Sequence, residues 1–440
     1  QASKNFTNYI QHIMICGCYH MKFKNARKDL GLNSNDRLYN TLVSPFAPKS
    51  SKNIKPRGFK IFTFHAGFKK KKDDLMILIF DKPVAVSCKY TSSTMPSAPI
   101  IWDKKNNKGI CKALIVNSGN ANAHTGDKGL ETIDKYTKDL AKYLSCSKKE
   151  ILVSSTGVIG EQFDSLKISN QIKKLNKSKN KMLIDAAKAI CTTDTFVKTS
   201  VHYLKIQNKK ITIYGFAKGS GMISPNMATM LSYVFIDCEI NSKILNKLLS
   251  ENIEETFNSI SVDSDTSTSD TVMLFSNPIN KISLNNDVLK KISNKLNSVM
   301  EELSYKIISD GEGVKKLTKI TVKNAKSKSQ AKNIAFSICN SPLVKTAIAG
   351  EDANWGRVVM AIGKTNEKVI QNKLTIKFGN IFLARNGERN RKLSLSKVDK
   401  YMKNKLIEIE VNLNLGKYSK TVYGNDLNNE YISINADYRS

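Results

Sequence analysis

Acidic side chains are scarce in this 440-residue chain: 38 Asp and Glu face 70 Lys and Arg, for a formal net charge of +32. Such an excess raises nucleic acid or another polyanion as a partner. The distribution argues otherwise, because apart from Lys69-Lys70-Lys71-Lys72 the lysines are scattered and aromatic residues are not interleaved with them. A basic nucleic-acid-binding protein therefore stays only as a remote alternative. Long apolar runs are also missing, and none approaches the roughly 18 to 20 residues of a membrane-spanning helix. The expectation is a protein with no membrane partner. The eight cysteines are dispersed, unlike a disulfide framework, which points to a reducing cytoplasm. Cys16-Gly17-Cys18, flanked by His12 and His20, is spaced more tightly than zinc patterns, so no metal is expected. The five histidines fall in no triad arrangement.

What the chain does have is a run near its middle, Ala217-Lys218-Gly219-Ser220-Gly221-Met222-Ile223-Ser224-Pro225-Asn226-Met227-Ala228-Thr229-Met230-Leu231. It sets a threonine after a small residue where a flexible loop enters an apolar strand. A threonine hydroxyl is a poor nucleophile without a base beside it, and the α-amine of the same threonine supplies one once the preceding peptide bond is cut. That amine titrates near roughly 7.7–8.0, close to working pH. The cut would begin with Thr229 Oγ attacking the Ala228 carbonyl, and Gly219, Gly221, Pro225 and Ala228 supply flexibility, a fixed φ and little bulk. Taken alone, the same run is also a plain loop leading into a buried strand.

The 40% hydrophobic content is enough for a sizeable core, and the length of 440 residues suggests two or three domains or lobes. Residues 1–43 are polar and basic without a clear period and are expected to be an N-terminal extension, with Met21 a candidate start. Strands are expected at Leu75–Phe80, Ala113–Val116, Lys210–Phe216, Met230–Asp237, Thr271–Phe275, Lys319–Val322 and Leu374–Leu383. Helical periodicity appears at 130–145, 166–191, 241–259, 286–308, 327–349 and 355–363. Mixed sheets and helices predict a layered α/β or α+β architecture.

Further segments rich in Gly, Ser, Thr, Asn and Asp sit at the ends of apolar strands, where sites form. They are Asn117–Ala123, Ser154-Ser155-Thr156-Gly157-Val158-Ile159-Gly160, Thr192-Thr193-Asp194-Thr195, Val262–Thr271 and Asp310-Gly311-Glu312-Gly313. The acidic, hydroxyl-rich Asp263–Thr271 run lacks the spacing of a calcium loop and is expected to support the site structurally. With Ala349-Gly350-Glu351-Asp352-Ala353-Asn354-Trp355-Gly356-Arg357 and Ile434-Asn435-Ala436-Asp437-Tyr438-Arg439-Ser440, these segments closely resemble the glutamate N-acetyltransferase family of arginine biosynthesis, also called ornithine acetyltransferases. The resemblance runs from about Ser44 to Ser440.

It implies an αββα-like layered sandwich of the kind found in self-processing threonine-nucleophile acyltransferases, and cleavage between Ala228 and Thr229 into an alpha chain, 44–228, and a beta chain, 229–440. It further implies ping-pong transfer of an acetyl group from N2-acetyl-L-ornithine to L-glutamate through acetyl-Thr229, with two alpha and two beta chains assembled together. Carried to matching positions, Thr156 and Gly157 form the oxyanion hole, and Thr195, Lys218, Thr229, Glu312, Asn435 and Ser440 bind substrate. No cofactor is expected, with acetyl-CoA left open as a co-substrate. Ser309, Ser264 and Ala353 depart from the family's usual arginine, glycine and proline. Among enzymes the alternative is an N-terminal-nucleophile amidase or aminopeptidase, in which water would take the acyl group.

Overall fold

The computed structural model describes residues 43–224 and 230–436. The first lobe begins with β1 (Phe59–Phe64), β2 (Leu75–Tyr90), α1 (Ala98–Asn106), β3 (Ile110–Asn120), α2 (Gly126–Leu144) and β4 (Ile151–Val158). It continues through α3 (Leu166–Ile172), α4 (Leu183–Ile190), β5 (Lys198–Ile206), β6 (Lys209–Lys218), β7 (Leu231–Cys238), α5 (Ser242–Ile253), β8 (Thr271–Asn280) and α6 (Asn286–Ser309). The second lobe starts with β9 (Leu317–Ala325), α7 (Lys328–Cys339), α8 (Pro342–Ala349), α9 (Trp355–Gly363) and β10 (Thr375–Phe378). It closes with β11 (Ile381–Arg385), β12 (Glu388–Arg389), α10 (Leu395–Met402), β13 (Leu406–Asn412), β14 (Tyr418–Asn425) and α11 (Asn429–Ala436).

The first sheet has the order β4-β3-β2-β8-β7-β6-β5, with β1 on β2. β2 pairs with β1 and β3 along its first half and with β8 along its second, across an irregular stretch between Ile79 and Val84. Pro83, which has no N–H to give a ladder, lies in that stretch. There the sheet folds over itself. Phe59 of β1 stacks on Phe235 of β7 at 4.8 Å although the two strands do not pair.

Side-chain alternation then fills three layers of core. Leu231, Tyr233 and Phe235 face the interior of the fold-over with Leu114 and Val116, while Val234 and Ile236 face Leu249 of α5 and Leu303 of α6. On the opposite outer face Ala113 and Ile115 meet Trp102, Tyr136 and Ile168 from α1, α2 and α3. The architecture is therefore a mixed α/β sandwich of αββα type. The second lobe is a six-stranded sheet, β12-β11-β10-β13-β9-β14, backed by its own helices around Ile334, Ile348, Val358 and Met402. A parallel bridge between Ile260 and Tyr423 joins the lobes.

β6 precedes the Ala228–Thr229 bond in sequence, β7 follows it, and the two strands are neighbours. The segments 44–228 and 229–440 thus share one sheet, with β7 and β8 at its centre.

Several elements differ from the sequence expectations. The helical period over 166–191 is two helices separated by a short 3-10 turn at Leu175–Lys177. Ser341-Pro342 divides 327–349, since proline opens a helix well but cannot sit inside one, and Ser341 caps the second half through Val344 N. The expected strand at Leu374–Leu383 is a hairpin turning at Gly379, whose φ is +55°. The helix expected over 241–259 ends at Ile253 and yields to a 3-10 turn at Phe257–Ser259. Among the described residues no helix is long and apolar enough to cross a membrane, and no group of three or more His, Cys, Asp or Glu could hold a metal ion.

Candidate functional site

Parallel pairing of β3 with β4 sets Ser118 beside Thr156 and Gly119 beside Gly157, so the two hydroxyl-rich strand ends lie in register. Gly157 has φ +134°, and a Cβ there would stand 2.2 Å from the Gly119 carbonyl carbon. Only glycine fits, which leaves backbone at closest approach to the site. Asn117 fixes the floor, accepting from Ser155 Oγ at 2.6 Å and donating to Asn120 O at 2.8 Å.

Lys218 closes β6, is 2% exposed, and donates to Thr156 Oγ1 at 3.2 Å. With its oxygen engaged by an ammonium, Thr156 keeps its own hydroxyl hydrogen for an external acceptor. Burial pushes the Lys218 pKa down against the pull of Asp194. Leu231 pairs with Lys218 on one side and Thr271 on the other. Met230 N donates to Asp270 Oδ1 at 2.8 Å and Met230 O accepts from Thr271 N at 3.0 Å. Burial holds the Asp270 carboxyl well above the usual carboxylate range. Ala228 and Thr229 lie outside the described residues. Met230, bonded to Thr229, is fixed beside the strand end that carries Lys218.

Behind this stands a buried ionic cluster that the sequence reading did not find. Lys198 Nζ reaches Asp194 Oδ1 at 2.5 Å and Asp310 Oδ2 at 2.6 Å, and none of the three side chains is exposed. Two carboxylates sharing one ammonium cannot both be ordinary acids. Burial alone would raise Asp194, but Lys198, Lys218 and the Gly219 N–H together outweigh it and hold it well below its usual value. Burial pushes Asp310 up to about 6 despite Lys198. The cluster does structural work in two directions: Asp194 accepts from Gly219 N at 2.8 Å, and Asp310 accepts from Thr195 N at 2.9 Å and from Thr195 Oγ1. Thr195 is thereby placed, together with Ser44, whose N–H donates to its Oγ1 at 3.1 Å.

Glu312 stands across the loop after β6. Its N–H donates to Ser220 O at 2.9 Å, and its Oε2 accepts from Asn435 Nδ2 of α11 at 2.8 Å. A Cβ on Gly221 would fall 2.5 Å from the Glu312 carboxylate, so a glycine there gives that carboxylate its room. The same loop is gripped by Asp263, which accepts from Met222 N at 2.6 Å and Ile223 N at 2.8 Å and which burial lifts to about 6. Met222 itself is left-handed, φ +57°, an unfavourable state for a methionine.

Of the expected site residues, Thr156, Gly157, Lys218, Thr195, Glu312 and Asn435 are all placed on this arrangement, and Ser440 lies outside the described residues. Asp194, Lys198, Asp263, Asp270 and Asp310 were not expected as functional positions. All but Lys198 fall inside the hydroxyl-rich segments, so a signal was there; Lys198 had only its i+4 spacing from Asp194. At the departures, Ser264 adopts φ +68°, where glycine is easier, and Ser309 is buried with its carbonyl accepting from Ser44 Oγ.

A protein-family model described as the ArgJ family matches residues 60–440. The curated "Arginine biosynthesis bifunctional protein ArgJ" of Agrobacterium fabrum is 44% identical over 409 residues, 90% of this chain and 99% of that protein. Its counterpart from Bartonella henselae is 46% identical over 390 residues, covering 87% and 95% of the two chains. Among solved structures, an arginine biosynthesis bifunctional protein ArgJ from Bacillus halodurans is 34% identical with a TM-score of 0.44, covering 46% of this chain and 97% of that one.

Proposed function

Because the chain belongs to the ArgJ family, we propose that it transfers the acetyl group of N2-acetyl-L-ornithine to L-glutamate in arginine biosynthesis, through an ester on Thr229 freed by cleavage after Ala228. The observation that carries this reading is the joining of Thr156, Gly157 and Lys218 at strand ends beside Met230, the residue after the nucleophile.

The chemistry follows from these positions. Thr229 Oγ adds to the acetyl carbonyl as its α-amine takes the hydroxyl proton. The oxyanion lies between the Thr156 hydroxyl and the Gly157 N–H, the donors such an intermediate needs. The C–N bond to ornithine breaks, its amine takes the proton, and ornithine departs. The glutamate amine then attacks the ester carbonyl, forming the new C–N bond, and the C–O bond to Thr229 breaks. The proton lost by the amine passes through the Thr229 α-amine to Oγ, and N-acetylglutamate leaves. Glu312, oriented by Asn435, faces a substrate ammonium, while Thr195 and Ser440 supply directional hydrogen bonds. Lys218 supports the oxyanion side by holding Thr156, and a substrate carboxylate would be a second partner for its ammonium.

The reaction calls for no cofactor, and acetyl-CoA is proposed as a second acetyl donor in keeping with the bifunctional relatives. Assembly as two alpha and two beta chains in the cytoplasm belongs to the same proposal. The test is product analysis with acetyl-labelled N2-acetylornithine. Labelled N-acetylglutamate that appears only when glutamate is present supports transfer, whereas free labelled acetate regardless of glutamate would point to hydrolysis.

A further inference from the structure

We infer that Lys345, acting through Asn425, is a positioning residue for Glu312, so that the second lobe sets how tightly the site holds a substrate ammonium, an inference that rests on the acetyl-transfer reading of Glu312. Lys345 lies on α8 and is 4% exposed. Its ammonium donates to the main-chain oxygen of Asn425 and to Asn425 Oδ1, the latter at 3.0 Å. Burying an ammonium against neutral acceptors is costly, and burial lowers its pKa accordingly. The arrangement fixes the Asn425 amide in one orientation, oxygen toward Lys345 and nitrogen toward the end of α6.

That nitrogen lies 3.5 Å from Ile308 O and only 1.9 Å from where a Cβ on Gly311 would sit. The amide therefore packs directly on the residue before Glu312. The next residues of the connector hold the other side: Asp426 Oδ1 accepts from Lys315 N at 2.9 Å and Lys316 N at 3.0 Å, and Asn428 Nδ2 donates to Gly313 O at 2.7 Å. Glu312 is thus bracketed at Gly311 and Gly313 by one segment, Asn425–Asn428, which runs straight into α11 and its Asn435. Without Lys345 the Asn425 amide loses the partner that orients it, and Gly311 loses the wall against which it is packed.

The test measures L-ornithine binding by calorimetry on the full chain, with acetyl-transfer kinetics and thermal melting alongside, for wild type, Lys345→Met, Lys345→Arg and Glu312→Gln. Lys345→Met is expected to weaken ornithine binding and raise KM about tenfold with kcat within about twofold, and Lys345→Arg to restore most of the loss. Asn425→Ser should reproduce the KM effect and serves as the second variant should Lys345→Met fail to fold. Unchanged KM in a folded Lys345→Met or Asn425→Ser protein, or a fall in kcat alone, would overturn the inference while leaving the function intact. If Glu312→Gln binds ornithine as well as wild type, the reading of Glu312 itself falls, and this positioning role with it.

Discussion

Lys218 Nζ donates to Thr156 Oγ1 across 3.2 Å in a place where Lys218 is almost wholly buried. An ammonium held on a neutral hydroxyl suits the oxyanion role proposed for Thr156, in which negative charge develops on the hydroxyl's other side. The contact makes Thr156 a committed donor and couples the ends of β4 and β6.

Thr156→Ala should accordingly lower kcat by about a hundredfold or more, the usual cost of losing one oxyanion donor, and cost about 1–3 kcal/mol of stability because the buried Lys218 ammonium loses an acceptor. Thr156→Ser, which keeps the hydroxyl, should recover much of it. Steady-state kinetics on both variants checks this, and equal rates for Thr156→Ala and wild type would remove Thr156 from the oxyanion hole.

Lys198 bridges Asp194 and Asp310 with its ammonium. Lys198→Met leaves two buried carboxylates without it and should cost about 3–5 kcal/mol at neutral pH. The deficit should narrow as pH falls and the carboxylates take up protons. Urea unfolding at pH 7 and pH 5 measures it; a pH-independent loss would mean only packing was disturbed.

Glu302 on α6 accepts from Lys306 Nζ at 2.8 Å and Ser200 Oγ at 2.5 Å, with His202 Nε2 at 2.9 Å, and these contacts outweigh burial to bring its pKa down to about 2. A carboxyl with a depressed folded pKa stabilises above its unfolded value and loses that contribution as pH falls through the folded one. Glu302→Gln should therefore melt below wild type at pH 7, and the gap should close between about pH 4.5 and pH 2. A constant gap across that window would refute the linkage.

Gly221→Ala introduces a Cβ 2.5 Å from the Glu312 carboxylate. Since the obstructed group is the end of a flexible side chain, stability should hold while KM for the ammonium-bearing substrate rises about fivefold or more. An unchanged KM would show that Glu312 does not meet substrate from its observed position.

Much of this was legible in the sequence. Short unbroken apolar runs at Leu75–Phe80 and Ala113–Val116 located buried strands, and hydroxyl-rich strand ends located the loops that converge, because a loop with that many polar groups needs partners at a strand terminus. What escaped has a physical reason. The break at Ser341-Pro342 is masked by continuous apolar periodicity on either side of it, and the Gly379 hairpin by apolar residues in both of its arms. Strand β14 carries Ser419, Lys420, Gly424 and Asn425, which resemble surface loop, whereas β13 alternates Ile407, Ile409 and Val411 with Glu408 and Glu410, an ordinary strand pattern. The pairing of Lys198 with Asp310, 112 positions apart, belongs to tertiary structure alone and leaves no local pattern.

Denaturing mass spectrometry of purified wild type beside Thr229→Ala asks whether cleavage after Ala228 frees Thr229 as the nucleophile. Two wild-type fragments whose masses meet between Ala228 and Thr229, with Thr229→Ala intact, is the predicted result. A wild type that transfers acetyl groups while remaining a single uncut chain would contradict it.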